Sequence, residues 1–326
     1  MARDGIGADS GDGGTVIEEA AVEGRSTRWR CTGLHWQDDR PVLGAVRGGV
    51  RHERVVEPGA AVGWRLGGPR RCSGPHLAGE PERRDCPHRA EIDPVAGAVL
   101  CVPCQQVDRG LALARDRILD DGRTYRLYLA WFGGDLVKVG LTAEQRGRSR
   151  LLEQGAPVFT FVARGSLPAV RRAELTVSGS GLARERFGVR AKAEQWWHLP
   201  GAAERRARVA GARAAALQLL AGHPLTTYPD GPVVDHVELF GLTDGPPPSY
   251  REVTALADGA TVCGVLRPPI GRMVFLDQPD GGEPLLLDTR RLTGWALRAA
   301  APAPCSGVEL RPHRRPPAPD AQGALF

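Results

Sequence analysis

Four cysteines, Cys72, Cys86, Cys101 and Cys104, fall in a polar, proline-rich segment with almost no apolar residues to build a core. Cys101 and Cys104 enclose two residues, the spacing that lets two thiolates of one turn reach the same Zn²⁺, an ion that favours four soft ligands in a tetrahedron. Cys72 and Cys86 make the weaker half, because thirteen residues separate them and a compact knuckle brings its pair closer. His76 and His88 therefore stand in reserve as substitute ligands. A redox role for Cys101 and Cys104 lacks the βαβ setting such a motif needs. A segment this polar needs something to order it, and a structural zinc supplies that. Cys31 and Cys263 read as small core residues.

A second candidate ligand is Glu174. The helix expected after Ser166, with Pro168 in its first turn, carries Val170, Ala173 and Val177 as an inner stripe. Glu174 then stands on or at the edge of the core-facing side. A carboxylate placed there calls for a partner, either Arg171 or Arg172 or a hard metal ion. The surroundings are basic: from Lys138 to Lys192 there are eleven Lys or Arg against four Glu and no Asp. Such an excess suits phosphate contacts, and so a nucleic-acid partner. All but two of the chain's 43 basic residues are arginine, and the two lysines, Lys138 and Lys192, both fall in this region.

The elements that must position these residues begin with a hairpin. Tyr125 to Ala130 and Leu136 to Leu141 are short apolar runs flanking a turn whose Gly133-Gly134 reaches positive φ cheaply. A helix is expected next, with Thr142 as N-cap, Gln145 at its third position, Leu151 and Leu152 on its inner face, and Gly155 at its end. Val158 to Ala163 is apolar enough for a strand buried beside the hairpin.

This order of parts resembles the opening of a GIY-YIG nuclease domain. Arg126-Leu127-Tyr128 occupies the place of Gly-Ile-Tyr, and Lys138-Val139-Gly140 that of Tyr-Ile-Gly. KVGLT with RLLEQGA also resembles a family of uncharacterised proteins with a zinc-ribbon-like segment, this hairpin and a small closing β domain. The resemblance implies a general base at Tyr128 and a catalytic arginine at Arg150, with Arg148 as the competing candidate. It further implies a Mg²⁺- or Mn²⁺-binding glutamate at Glu174 and hydrolysis of DNA phosphodiesters in repair or replication. Lys138, in place of the second tyrosine, would bind phosphate or assist Tyr128. Gln154, which stands where the family has histidine, joins Arg126 and Lys138 as a departure. The alternative is a noncatalytic, zinc-containing nucleic-acid-binding adaptor that keeps the fold.

The fold class expected is α+β: a central GIY-YIG-like three-stranded sheet with helices, preceded by a β-rich zinc-binding segment and followed by a small β domain. Residues 1–25 read as a disordered tail, 26–120 as the β-rich unit with the zinc-ribbon-like segment, 121–230 as the central domain and 231–302 as the β domain. Residues 303–326 read as a flexible tether. Paired Trp196 and Trp197 are expected to pack rather than to stack on bases. The chain ends in Gln322-Gly323-Ala324-Leu325-Phe326, which resembles the peptide by which bacterial replication and repair proteins hang on the sliding clamp. The polar hook is Gln322 and the anchors are Leu325 and Phe326, behind a disordered lead. No apolar run approaches the roughly 20 residues that span a bilayer, and the start lacks a basic n-region with an apolar core, so a cytoplasmic protein is expected.

Overall fold

The structure, a computed structural model, describes residues 28–77, 80, 83–115, 117–118, 120–301 and 303–316. It is an α+β protein dominated by sheet. The chain opens with β1 (Arg30–Gln37), β2 (Arg40–Arg47), β3 (Val50–Val55) and β4 (Ala61–Gly67). Two-residue turns join the first three, Asp38-Asp39 and Gly48-Gly49, all four residues at positive φ as the hairpin twist demands. The cysteine segment follows, closed by the short helices α1 (Val102–Val107) and α2 (Arg109–Ala114).

The middle of the chain builds β5 (Thr124–Trp131), β6 (Val137–Ala143), α3 (Ser149–Glu153), β7 (Val158–Ser166) and α4 (Leu167–Gly179). Then come α5 (Val189–Gln195), α6 (Ala202–Leu219), β8 (Thr226–Thr227) and β9 (Val233–Asp235). Strands β6, β5 and β7 pair antiparallel in that order, and β8 and β9 extend the sheet along β7. The two faces of β5 go to different cores. Tyr125, Leu127 and Leu129 pack with Val170, Ala173 and Val177 of α4. Tyr128, Ala130 and Phe132 pack with Leu151 of α3 on the other side.

The helix expected from Thr142 is shorter than its pattern. Thr142 and Ala143 stay in β6, opposite Arg126 and Tyr125, and Thr142 is buried. Gly147, at φ 46, breaks the chain before α3 begins at Ser149. Further on, Ser166 takes the N-cap position of α4 with Pro168 in the first turn.

The last part is β10 (Ser249–Leu266), β11 (Met273–Asp277), β12 (Leu285–Asp288), β13 (Ala296–Ala299) and β14 (Ser306–Arg314). Sequence reading sets these strands apart from β1–β4, but β4 pairs with both β10 and β13, and β13 with β1, giving one nine-stranded sheet. Nor does the described part of the terminal stretch run free. Ser306–Arg314 lies antiparallel along β10, where Val308 and Leu310 reach the core. Trp196 and Trp197 close that core as expected, Trp197 stacking on Tyr250 with centroids 5.4 Å apart and Trp196 meeting Phe275 edge-on at 6.1 Å. No helix among the described residues is long and apolar enough to cross a membrane.

Candidate metal centre and lysine cluster

The four cysteines converge. The sulfurs of Cys72, Cys86, Cys101 and Cys104 all lie within 4.8 Å of one another. Cys86 is 3.8 Å from Cys101 and 3.7 Å from Cys104. Between Cys72 and Cys86 the chain doubles back so that its two described arms pair. His76 bridges to Arg83, and the Arg84 amide donates to the Pro75 carbonyl at 2.9 Å. Gly74 makes the fold-back possible, at φ 74 and 2.9 Å from the Cys86 nitrogen where a Cβ would stand. The Cys72 amide then donates to Ala90, fixing the returning strand. The reserve histidines are not drawn in, and the Nε2 of His76 pairs instead with the Glu80 carbonyl at 2.8 Å.

The set fits a soft divalent ion. Amides of Cys101 and Gly74 donate to the Cys72 sulfur at 3.2 and 3.4 Å, as they would to a thiolate. Burial pushes the Cys72 thiol up to about 11 and raises Cys104 as well, with the neighbouring thiols adding to both. As thiolates, four sulfurs this close would need a cation between them. The local apolar cluster is small, built on Ile92 and Leu100 beside the cysteines themselves.

The second assembly lies on the α3 side of the central sheet. Tyr128 is almost wholly buried, and its hydroxyl accepts from the Gln154 side-chain amide at 2.9 Å. Gly140, opposite it on β6, leaves the room: a Cβ there would stand 2.5 Å from Tyr128 Cζ and 3.1 Å from Lys138 Nζ. Lys138 donates to the carbonyls of Val139 and Glu185 and lies 5.7 Å from the Tyr128 ring centroid. Lys192 arrives on α5. Its Nζ donates to the Gln154 carbonyl at 3.3 Å and rests 3.8 Å from the Phe132 ring centroid. The hairpin glycines admit α5, since a Cβ on Gly133 would collide with the Cβ of Gln195. Burial, then the charges of Lys138, Arg150 and Arg290, push Lys192 down to about 7.

Acidic balance is directed elsewhere. Glu153, on the same helix as Arg150, is held by Arg146 at 2.7 Å, Arg272 at 3.3 Å and Arg150 at 3.7 Å. Those cations outweigh its burial and keep its carboxyl below the usual range. Around Tyr128 stand the Gln154 amide and the Lys138 amine, with the Lys192 amine one hydrogen bond further on at the Gln154 carbonyl.

Of the residues singled out from sequence, Tyr128 and Lys138 thus belong to one neighbourhood, while Arg150 pairs with Glu153 at 3.7 Å and acts on Lys192 by its charge. Arg148 lies outside it, because it turns outward to a bidentate pair with Asp39 of the β1–β2 turn. Glu174 is carried by α4, whose buried stripe packs on the opposite face of the sheet from Tyr128. Gln322, Leu325 and Phe326 lie outside the described residues. Sequence reading left Lys192 and Gln154 without a role; the scarcity of lysine was the available signal. No family model, curated protein or solved structure matches the chain.

Proposed function

We propose that this chain is a nucleic-acid-binding protein that grips a backbone phosphate between Tyr128, Lys138, Arg150, Gln154 and Lys192, on a GIY-YIG-like domain braced by a zinc-bearing segment. The observation that carries the reading is the gathering of both lysines of a 326-residue chain beside one buried phenol. Phosphate oxygens would accept from these donors, and such contacts position a strand without choosing its sequence. The antiparallel order β6, β5, β7 with a helix after each outer strand supports the domain relationship. Zinc is the metal favoured by an all-cysteine donor set. It would order a segment that otherwise has little core.

Binding is favoured over hydrolysis by the position of Glu174. A metal-dependent nuclease needs its carboxylate within reach of the phosphate that Tyr128 and Arg150 address, and α4 packs on the other face. Anisotropy of labelled single-stranded, duplex and branched DNA tests the reading. The wild type should bind with a steep salt dependence, and Lys138→Ala with Lys192→Ala should weaken it at least tenfold and flatten the salt slope by about 1–2. A double variant that binds like the wild type would refute the grip. Mn²⁺-dependent nicking abolished by Glu174→Ala would restore the hydrolase.

Attachment to a sliding clamp through Gln322, Leu325 and Phe326 belongs to the same reading of a replication or repair protein. The last twenty residues, set against a Phe326→Ala peptide, should bind a clamp with at least tenfold preference; equal affinity would remove it.

A further inference from the structure

Lys138 and Lys192 hold unlike positions. Lys138 is pinned, its ammonium donating to two backbone carbonyls, those of Val139 and Glu185. Lys192 donates to a single carbonyl, that of Gln154, at 3.3 Å and otherwise lies against the Phe132 ring. Arginine fills 41 of the chain's 43 basic positions, so charge alone is met by guanidinium almost everywhere. An amine differs from a guanidinium in one chemical respect that matters here: it can lose its proton and offer a lone pair. A lysine withdrawn from water near a second cation is the arrangement that activates an amine toward carbonyl carbon.

Resting on the phosphate-binding reading, we propose that Lys192 is a nucleophile for an aldehyde carried next to a phosphate ester, the opened sugar of an abasic nucleotide being the form that a nucleic-acid strand would present. The fixed charge of Lys138, with Arg150 and Tyr128, holds the flanking phosphate. The Lys192 lone pair attacks the carbonyl carbon, and the carbinolamine loses its hydroxyl with a proton as water, leaving a protonated imine. Water takes the proton from the adjacent carbon, whose electron pair forms a new carbon–carbon double bond. The bond from the next carbon to the phosphate oxygen breaks, and the phosphate leaves with that pair. Water then hydrolyses the imine and returns the amine. No metal and no outside oxidant or reductant enters. The proportion of free amine near neutrality agrees with this role, since burial and Lys138 lower the affinity of Lys192 for its proton.

The test uses the full chain in chelator with cyanoborohydride, which reduces the imine to a stable secondary amine. One arm supplies an oligonucleotide with a single abasic site, the other a free aldose phosphate such as glyceraldehyde 3-phosphate. The expected result is an adduct in the oligonucleotide arm, mapped by peptide mass to residue 192, with strand cleavage 3′ of the site when the reductant is omitted. Lys192→Arg should reduce the adduct at least a hundredfold. Its melting temperature, together with the map on the wild type, separates lost chemistry from lost folding. An adduct in the aldose phosphate arm alone would keep the amine but contradict the nucleic-acid reading. No adduct in either arm, or one that maps elsewhere or persists in Lys192→Arg, overturns the inference, and intact binding without any adduct would leave the phosphate grip standing by itself.

Discussion

Gln154 donates its side-chain amide to the hydroxyl of Tyr128 across 2.9 Å, joining the end of α3 to the middle of β5. In the proposed grip, the phenol so held gives its own proton to a phosphate oxygen. Gln154→Ala removes the orienting donor but leaves the lysines and Arg150. One hydrogen bond of this kind contributes about 1 kcal/mol, so affinity for a labelled oligonucleotide should fall roughly three- to tenfold at fixed salt. Tyr128→Phe should weaken binding to a similar extent. If both variants bind like the wild type, the phenol takes no part in the grip.

Lys192 should cost the free protein stability. Its folded-state affinity for a proton is lowered from 10.5 to about 7, by burial first and then by Lys138, Arg150 and Arg290. Between those values the unfolded chain holds a proton at this position that the folded chain gives up, so this term makes stability rise with pH from about 7 to about 10.5 and leaves the full penalty below 7. Lys192→Met keeps the length against Phe132 and removes the charge. Its melting temperature at pH 7 should exceed that of the wild type by a few degrees, and the gap should shrink toward pH 10. A lower melting temperature at pH 7 would mean that the ammonium is held by partners that stabilise it.

Metal content is the most direct check on the cysteine cluster. Purified protein should carry one zinc per chain, and a strong chelator should release it together with the order of the segment from Cys72 to Cys104. Removal of one ligand by Cys104→Ser should abolish the stoichiometric metal and expose the segment to proteolysis, while the central sheet, with its own cores, keeps its protection. Full retention of zinc in Cys104→Ser would show that the cluster is not the site.

Local pattern carried much of this structure in plain view. The hairpin of β5 and β6, the strand β7, and the inner stripe of Val170, Ala173 and Val177 follow from short-range periodicity and from Gly133-Gly134. Thr142 shows the limit. Its side chain suits a helix cap, but strand pairing with Arg126 continues through it, and a ladder formed with a distant partner outweighs a local preference. The union of β4 with β10 and β13 could not be read from spacing, because their register is set by residues some two hundred positions apart. The same holds for the lysine cluster. Tyr128 and Lys138 are neighbours across a hairpin, whereas Lys192 reaches them only because α5 is carried in by Ala193, Trp196 and Trp197 packing on the nine-stranded sheet. Helical spacing sets Glu174 beside the inner stripe of α4, but a position on a helix does not fix which side of a sheet the helix covers, and that stripe packs on the face opposite Tyr128.

Glu153 joins the two sheets, and its loss should be felt by both. The carboxylate of α3 meets Arg272, one residue ahead of β11, at 3.3 Å, as well as Arg146 and Arg150 of its own segment. The backbone presses in at the same point: Gly271 lies where a Cβ would come 2.9 Å from the Glu153 carbonyl, and its own carbonyl accepts from the Trp36 indole at 2.8 Å. Only 7% of the Glu153 side chain is exposed, whereas Arg146, Arg150 and Arg272 are 36–45% exposed, so solvent screens part of the attraction. Glu153→Gln should then cost about 1–2 kcal/mol, which urea denaturation would read as a lower midpoint. The pH dependence has a definite sign. Burial opposes the charged form, but Arg146, Arg272 and Arg150 outweigh it and hold the carboxyl below 4.5. The stabilisation is therefore complete above the unfolded value and is lost as pH falls through the lower folded one. Wild type should lose stability in that acid window, and Glu153→Gln should lose less across it. Parallel acid profiles for the two proteins would show that Glu153 is not what binds α3 to the β11 turn.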